Sequence, residues 1–364
     1  MKNGFDRRAF LGGAGMATLS ITLPGIAAAQ SYPARPITVV IMYAAGGGTD
    51  VLIRKLADEM AKARGWNVSI ANRPGAVGGI ATQYVSAQPA DGYNILGAAN
   101  YNKFVRVLGH VPASPAPWEQ WAFMKAGNAI ASWSVPVDSP FQTLQDVIDA
   151  AREKPGRISV STSGTGGIWH EMALLIAAFA DIELRYVPYQ GGQPATLAGL
   201  QGEVDIAGGG VHEHIELVRA GQFRMLQQTG TEDIVLEDGT VLPTVANLIP
   251  DLAPFLPMGA TYNMMVRRDT PPEILGEIRN AFVEAANSQD FRDFLAARFF
   301  QHDVKVGEEA DREAARMEVV TVDLFNRYAD QIGSDVLSAD ELGLPGPNGF
   351  KEWWPPQGYM PLDL

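Results

Sequence analysis

Two glycine-rich turns are the segments of this sequence best suited to bind a ligand. The first turn, Ala45 to Asp50, follows the apolar run Ile37–Ile41 and precedes a helical pattern that begins at Val51. The second turn, Ser163 to Gly167, also lies between a short apolar segment and a helical pattern. Helix N-termini present backbone N–H groups without partners and the positive end of the helix dipole, and glycine lets a ligand come close to them. The pair predicts a site for an anionic group, with one turn in each of two domains.

Two other interpretations of these turns stay open. Each is also compatible with an ordinary strand-to-helix turn, in which Thr49 or Asp50 caps the following helix. A nucleotide site is a weaker match, because neither turn contains G-x-x-x-x-G-K-[ST] and because the third glycine of G-x-G-x-x-G would fall on Val51. We prefer the anion site because the same strand, turn and helix arrangement occurs twice.

Side chains near the turns are expected to select the ligand. Backbone donors bind a carboxylate without distinguishing the rest of the molecule, so specificity must come from the far end of the cleft. Trp169 follows the second turn by two residues and is a candidate for stacking on the ligand, although a place in the core fits it equally well. Asn100, His212 and His214 are further candidates for this end of the cleft.

The sequence offers little for catalysis or for metal binding. The segment His212-Glu213-His214 would place both imidazoles on one face of a strand, but on a helix they point about 160° to 200° apart. The chain has no cysteine, and Ser132, Ser161 and Ser163 lack the G-x-S-x-G context of a hydrolase nucleophile. We expect no metal, no cofactor and no enzymatic activity, with an exported hydrolase or metal-dependent enzyme as the alternative.

The first 29 residues have the composition of an export signal. Arg7-Arg8 precede a small-residue apolar run, Gly12 to Ile26, and Ala27-Ala28-Ala29 supply an A-x-A cleavage site. The paired arginines indicate the twin-arginine route, although Asp6 stands where that signal usually has Ser or Thr. Because there is no cysteine, we expect a soluble periplasmic protein without disulfides and without a lipid anchor.

The chain is acidic. Its formal net charge is −13, and removal of residues 1–29, which carry three basic groups and one acidic group, takes it to −15. A field of this sign repels nucleic acid and anionic membrane surfaces, so neither is expected as a partner. An anion site in such a protein has to rely on local donors.

The order of patterns along the chain predicts an α/β protein with two domains. Two irregular stretches, Val111 to Pro117 and Glu232 to Pro257, suggest that the chain leaves one domain and later returns to it. Strands are predicted at Ile37–Met42, Asn67–Ala71, Tyr93–Ala98, Ala129–Ser134, Arg157–Ser161, Leu184–Pro188, Val204–Ala207, Arg224–Thr229 and Thr261–Val266. Helices are predicted at Val51–Ala63, Ile80–Ala87, Leu144–Glu153, Ile168–Ala180, Ala195–Leu200, His212–Ala220 and Pro272–Ala286.

Four blocks between Tyr32 and Gly210 occur in an order that is typical of one family. They read YPARPITVVIMYAAGGGTDVLIRKLADEM, NRPGAVGGIATQYVSAQPADGYNILGAA, STSGTGGIWHEMALLIAAF and YVPYQGGQPATLAGLQGEVDIAG. Together they resemble the Bug family, the periplasmic substrate-binding proteins of tripartite tricarboxylate transporters. Similarity is looser beyond Thr270, and the Pro-, Gly- and aromatic-rich tail, residues 334–364, is longer than the family usually has.

The resemblance implies a two-lobed periplasmic binding protein, a Venus flytrap with the ligand cleft between its lobes. Lobe one would comprise residues 32–131 and 255–333, and lobe two residues 132–254. In such proteins the backbone N–H groups of both turns, with ordered water, hold a carboxylate, while an aromatic, a histidine and an acidic residue occupy the positions of Tyr43, His170 and Asp205. The predicted ligand-binding residues are Tyr43, Ala45, Gly46, Gly47, Gly48, Thr49, Asp50, Asn100, Ser163, Gly164, Thr165, Gly166, Gly167, Trp169, His170 and Asp205.

Three departures from the family pattern leave the ligand open. Gln190 stands in place of a lysine near the cleft, Ala71 in place of an acidic residue, and the segment Ile206 to Gly210 is smaller than usual. The ligand is expected to be a small organic acid, either a di- or tricarboxylate or an aromatic acid. The implied partners are this ligand and membrane permease subunits, and the protein is expected to be a monomer. A ligand-binding component of a sensor is a further alternative.

Overall fold

The alternating patterns fold into a mixed α/β structure. The structure is a computed structural model that describes residues 32–362. The predicted export signal, residues 1–29, lies outside the described residues. Residues from Arg35 onward form one compact unit.

Most predicted elements are present, and three helices have the predicted bounds. The strands are β1 (Ile37–Ile41), β2 (Val68–Asn72), β3 (Asn94–Ala99), β4 (Trp121–Pro136), β5 (Ser159–Thr162), β6 (Arg185–Pro188), β7 (Ala207–Gly210), β8 (Phe223–Gln228), β9 (Ile234–Val235), β10 (Val241–Leu242), β11 (Gly259–Arg267) and β12 (Phe300–Val306). The α-helices are α1 (Gly48–Arg64), α2 (Gly79–Ser86), α3 (Lys103–Val107), α4 (Pro117–Gln120), α5 (Leu144–Glu153), α6 (Ile168–Ala180), α7 (Gly192–Leu200), α8 (Val211–Arg219), α9 (Pro272–Ala286), α10 (Gln289–Ala297), α11 (Glu308–Arg327), α12 (Ala329–Ile332) and α13 (Phe350–Trp353). Short 3-10 helices lie at Ala76–Gly78, Asn100–Asn102, Val245–Asn247, Pro250–Phe255 and Pro347–Gly349.

Strand β4 belongs to both sheets of the molecule. The first sheet has the order β12-β4-β11-β3-β1-β2, in which β1 is parallel to β2 and β3. Up to Ile130, β4 pairs with β11, and from Ala131 onward it pairs antiparallel with β7 on one edge and with β8 on the other. Parallel strands β5 and β6 adjoin this second sheet through a bridge between Val160 and Ile206. We call the two halves of the molecule around these sheets lobe one and lobe two. The sequence-predicted limits of the lobes stay predictions.

The two chain segments that pass between the sheets are hydrogen-bonded to each other. The N–H of Ala131 donates to the carbonyl of Met258 at 3.3 Å, and the N–H of Met258 donates to the carbonyl of Thr229 at 3.1 Å. The N–H of Thr229 donates in turn to the carbonyl of Ala131 at 3.0 Å. The lobes are therefore joined by a hydrogen-bonded ribbon rather than by two independent linkers.

The predicted strand Ala129–Ser134 was wrong in length, because β4 has 16 residues. A lysine in its first half interrupts the apolar run that would have marked the strand. In the structure Lys125 is 1 % exposed, and its Nζ lies 2.6 Å from Asp303 and 2.5 Å from Glu313. The carboxylates of Asp303, on β12, and Glu313, on α11, thus pair with the buried ammonium group of Lys125, although both lie far from it in the sequence.

The strand predicted at Val204–Ala207 lies three residues further on, in β7 (Ala207–Gly210). Three of its four residues are glycines, which have low strand propensity. Close approach to β5 explains them, since a Cβ on Gly208 would lie 2.4 Å from the carbonyl oxygen of Ser161. Glycine here lets the second sheet pack tightly beneath the second glycine-rich turn.

The C-terminal tail packs on lobe one. The rings of Trp353 and Trp354 lie edge-on to Trp118, with centroids 5.9 and 6.0 Å from it. Tyr359 donates its hydroxyl to Asp311 at 2.8 Å. The tail is therefore part of the folded protein, and both tryptophans pack on the protein's own surface.

Arg106 connects two helices of lobe one through a buried ion pair and connects both to the tail through a hydrogen bond. The Nη1 of Arg106, on α3, lies 2.9 Å from Glu318 of α11, and the two side chains are 4 % and 1 % exposed. Arg106 also donates to the carbonyl of Leu342 in the tail at 2.6 Å. Burial raises the pKa of Glu318 to about 7, against the opposing effect of Arg106.

Removal of this arginine should destabilise the protein strongly. We expect Arg106→Met to lower the free energy of unfolding by about 3 to 5 kcal/mol, because Glu318 would stay buried without its partner. Arg327→Met is a matched control on α11, since Arg327 pairs with Asp323 at the surface, and it should cost about 1 kcal/mol or less. Urea unfolding measures both, and equal losses in the two variants would contradict the assignment.

A buried histidine lies where β4 changes sheets. His214, on α8, is 0 % exposed, and its Nδ1 lies 2.9 Å from the Oγ of Ser132 on β4. Burial lowers the pKa of His214 to about 3. The folded protein therefore holds His214 neutral, while the unfolded chain takes up a proton below about pH 6.5.

The stability that His214 contributes should be lost as the pH falls from about 6.5 towards 3. Between pH 7 and pH 5 this loss amounts to about 2 kcal/mol. We expect His214→Asn to lose less stability than the wild type over this interval, by about that amount. Guanidinium unfolding at the two pH values measures the difference, and an unchanged pH dependence would show that His214 does not titrate as described.

Candidate ligand-binding cleft

Asp50 holds the first glycine-rich turn in shape. One of its carboxylate oxygens accepts the N–H of Gly46 at 3.0 Å, and the other accepts from Arg54 at 2.6 Å and from Asn72 at 2.8 Å. Burial opposes ionisation, but these hydrogen bonds hold the pKa of Asp50 below its usual value. Gly46 adopts a φ of +85°, where a side chain would be strained. The turn is thereby fixed at the N-terminus of α1.

His170 holds the second glycine-rich turn in shape, as Asp50 does the first. Its Nδ1 accepts the N–H of Gly166 at 2.9 Å, and Gly166 has a φ of +67°. Burial lowers the pKa of His170 to about 4, which keeps the ring neutral and able to accept this bond. The N–H of Gly167 is bonded to the carbonyl of Gly164 at 3.0 Å. The first two amides of α6, those of Ile168 and Trp169, have no acceptor within the helix.

The two turns line one cavity between the lobes. Its volume is about 20 Å³, which is room for about one water molecule. Six of the sequence-predicted residues lie in its wall: Tyr43, Gly47, Gly48, Thr49, Ser163 and Trp169. The other lining residues are Ala99, Ile168, Gly192, Glu213, Ala260 and Tyr262.

The remaining predicted residues lie outside this lining. Asn100 is 0 % exposed and accepts the N–H of Thr261, whereas Asp205 is exposed and bonds to Ser159 at the start of β5. Gly46 lines an outer groove between the lobes, and Thr165 and His170 line a separate pocket beside β6 and α12. The residues placed elsewhere in the turns or in their supports are Ala45, Asp50, Gly164, Gly166 and Gly167.

Glu213 is the acidic residue of the cavity wall, and the sequence did not predict it as a ligand contact. It lies in the first turn of α8, and its side chain is 4 % exposed. One carboxylate oxygen accepts the N–H of Gly48 at 3.0 Å across the lobe boundary, and the other accepts the N–H of Gly210 at 3.0 Å. The indole of Trp169 also lowers the pKa of Glu213, against the effect of burial. The sequence signal for Glu213 is its spacing. It lies three residues after Gly210, which directly precedes α8, and this is the spacing of a capping box.

Gly48 is the position in the first turn that admits no side chain. A Cβ there would lie 2.1 Å from the Nε2 of His212 and 2.4 Å from the hydroxyl of Tyr262. Those two groups are bonded to each other at 3.1 Å, and the ring of His212 packs on Phe300 with centroids 4.3 Å apart. Burial lowers the pKa of His212 to about 3, so the ring is neutral. Gly48 therefore lets a helix N-terminus of lobe one touch the wall of lobe two.

The arrangement does not support a metal site at His212-Glu213-His214. The segment is helical, and its two rings bond to different partners, Tyr262 and Ser132. Within residues 32–362, no three histidine or carboxylate side chains lie close enough together to hold a metal ion. None of the helices in the same range has the length and apolar character that a membrane span requires.

Comparison with solved structures identifies the fold. The structure of a periplasmic transporter superimposes with a TM-score of 0.75 at 20 % identity, covering 83 % of this chain and 99 % of that one. The R. palustris protein Rpa4515 with adipate gives a TM-score of 0.70 at 22 % identity, with 84 % and 100 % coverage. MatC from Rhodopseudomonas palustris with bound malate gives 0.68 at 22 % identity, with 83 % and 100 % coverage. The predicted two-lobed periplasmic binding protein fold is confirmed.

Sequence comparison identifies the family. The UPF0065 protein in the gbd 5' region of Cupriavidus necator is 28 % identical over 306 residues, which are 80 % of this chain and 88 % of that protein. Protein BugT of Bordetella pertussis is 25 % identical over 291 residues, with 76 % and 85 % coverage. The model of the tripartite tricarboxylate transporter family receptor matches residues 52–318. The chain belongs to this family of solute-binding receptors, as the four sequence blocks predicted.

Proposed function

We propose that this protein captures a small organic carboxylate between its lobes and delivers it to the membrane permease of a tripartite transporter. The observation that carries the proposal is that two glycine-rich helix N-termini, one from each lobe, line the same cavity. The family supports a receptor role, and the related structures with adipate and malate support an acid as the ligand. We further propose that the protein is exported to the periplasm by the twin-arginine route and acts there as a monomer without a lipid anchor.

Backbone amides would supply the affinity for the acid group. Ile168 and Trp169 at the start of α6, and Thr49 in α1, line the cavity, and the N–H groups at these first-turn positions have no acceptor within their own helices. Hydrogen bonds to a charged acceptor contribute about 1.5 to 3 kcal/mol each, which is enough to offset much of the cost of association when several form together. No lysine or arginine is required, which suits a protein with this net charge.

Ligand entry would require the lobes to separate. A cavity of about 20 Å³ is far smaller than any dicarboxylate, so the arrangement described above is a closed one. A ligand that touches both turns binds the closed form better than the open form and shifts the population towards closure. The bound form would differ from the present one in the distance between the two turns.

Binding is favoured over hydrolysis by the contacts of the histidines near Ser163. One ring nitrogen of each histidine is engaged: Nδ1 of His170 accepts the N–H of Gly166, and Nε2 of His212 bonds to the hydroxyl of Tyr262. Among the described residues, neither ring makes a hydrogen bond to the Oγ of Ser163, which has no partner. A serine without a base in contact is a poor nucleophile but a good ligand contact.

Thermal unfolding in the presence of candidate acids tests the proposed function. We expect one group of mono-, di- or tricarboxylates to raise the Tm of the mature chain, from Gln30 onward, while neutral analogues of equal length do not. A ligand at 100 times its Kd stabilises the folded state by about 2.7 kcal/mol, which shifts Tm measurably. Silence from every acid, together with a shift from a metal ion or turnover of simple esters, would favour the enzyme alternative.

A pair of alanine variants tests the role of the first turn. Gly48→Ala should weaken binding of the acid found in that screen by at least about tenfold, because its Cβ would keep His212 and the first turn apart. Gly276→Ala is the matched control, since Gly276 lies on α9 away from the cavity and no atom lies within 4 Å of its added Cβ. It should change Kd by less than about threefold.

Isothermal titration calorimetry measures both constants, and urea unfolding checks that both variants are folded. Equal affinities in a folded Gly48→Ala variant and in the wild type would exclude the first turn from the binding site.

A further inference from the structure

We propose that the ligand carries a hydrogen-bond-donating nitrogen, an amine or an amide, beside its acid group, and that Glu213 binds this nitrogen. The inference rests on the proposed function and narrows its ligand class from carboxylic acids in general to amino acids and amide-bearing acids. The acid group would lie at the N-terminus of α6, and the nitrogen at the first turn.

Glu213 already supplies a carboxylate at the first turn. Its Oε1 takes the N–H of Gly48 at 3.0 Å, so an acid group of the ligand cannot use that donor unless it displaces the glutamate. The same side chain lines both the cavity and the outer groove, which is lined on its other sides by Gln193 and Arg298. An acid that enters between the turns therefore meets the carboxyl group of Glu213 on one side and the N-terminus of α6 on the other. Burial raises the pKa of Glu213, and the hydrogen bonds from Gly48 and Gly210 oppose this by stabilising the ionised form.

Within residues 32–362, no lysine or arginine is recorded as an ion partner of the Glu213 carboxyl group. Among the described residues, the nearest basic nitrogen recorded as its ion partner is Nε2 of His212, at 3.8 Å. His212 is neutral, because burial holds the pKa of its ring at about 3. The two recorded hydrogen bonds to Glu213 come from the backbone N–H groups of Gly48 and Gly210, which are uncharged. A buried carboxylate that is held by neutral donors retains a strong preference for a cation or an N–H group.

Two unpaired hydroxyls in the same wall point to a polar ligand. In the part of the chain that the structure describes, the hydroxyl of Tyr43 and the Oγ of Ser163 are buried without a hydrogen-bond partner, and the two residues are 6 % and 3 % exposed. Both residues line the cavity together with Glu213. Burial and then the charge of Glu213 raise the pKa of Tyr43, so its hydroxyl stays protonated and lies within the field of the carboxylate. Unpaired buried hydroxyls are costly, and a ligand with several polar atoms would satisfy them.

These contacts predict discrimination between acids of one chain length. A dicarboxylate would place its second negative charge towards Glu213, whereas an amino acid or an acid amide would place an N–H group there. A ligand that leaves a buried polar group of the site without a hydrogen-bond partner binds much more weakly than one that pairs with it. We expect the wild type to bind the nitrogen-bearing acid at least about tenfold more tightly than the plain dicarboxylate.

The experiment compares matched probes by isothermal titration calorimetry. The probes are succinate, aspartate and asparagine for a four-carbon chain, and adipate, 2-aminoadipate and 6-aminohexanoate for a six-carbon chain. The same titrations with Glu213→Gln should show the preference for nitrogen-bearing acids reduced to about threefold or less, because the charge is lost while the side chain keeps its size. Glu216→Gln is the control, since it removes an exposed carboxylate one turn further along α8 and should leave the preference unchanged.

The outcomes separate this inference from the proposed function. Equal or tighter binding of the plain dicarboxylates by the wild type would overturn the role of Glu213 and leave the proposed function standing. Binding of butylamine or butyramide as tight as that of the acids would support Glu213 and reject the carboxylate function. No binding of any probe at millimolar concentration would count against both. If Glu213→Gln fails to fold, the discrimination shown by the wild type decides the matter alone.

Discussion

The unpaired amides at the start of a helix have to find acceptors, and this requirement organises the centre of the molecule. In α1 the acceptor for Gly48 is Glu213, which comes from the opposite lobe and also caps its own helix through Gly210. The contact is made only because Gly48 has no side chain, since a Cβ would strike His212 and Tyr262. One hydrogen bond thus couples the first turn, the closed arrangement of the lobes and the polarity of the cavity wall.

The two turns could be found from the sequence because their signal is local. Three glycines between an apolar run and a helical pattern require only neighbours in the chain, and the helix at Ile168–Ala180 begins and ends where the pattern predicted. The supports of the turns were harder to assign. Asp50 and His170 were predicted as ligand contacts, whereas in the structure they bond to the backbone of their own turns. The sequence around a polar side chain next to a glycine-rich turn is the same whether that side chain binds the ligand or supports the turn.

The features that the sequence did not predict depend on partners far along the chain. Glu213 contributes to the cavity through its hydrogen bond with the N–H of Gly48, which is 165 residues away. Lys125 is tolerated in β4 because of Asp303 and Glu313, which lie 178 and 188 residues further on. Neither partner can be identified from spacing, because the contact is created by the sheet order. The position of the tail was likewise not predicted, because it depends on contacts between Trp118 and the tail residues Trp353 and Trp354.

The ribbon that joins the lobes has a mechanical consequence. Ala131, Thr229 and Met258 are bonded in a closed cycle of three backbone hydrogen bonds, and β4 runs through this cycle without a break. Such a ribbon bends as an elastic strip, whereas a single extended linker would swivel freely. Relative motion of the lobes is therefore confined to bending of this ribbon, so less conformational freedom is lost on closing than with a free linker. The ribbon, and not only the cleft, thus limits how far the two glycine-rich turns can move apart.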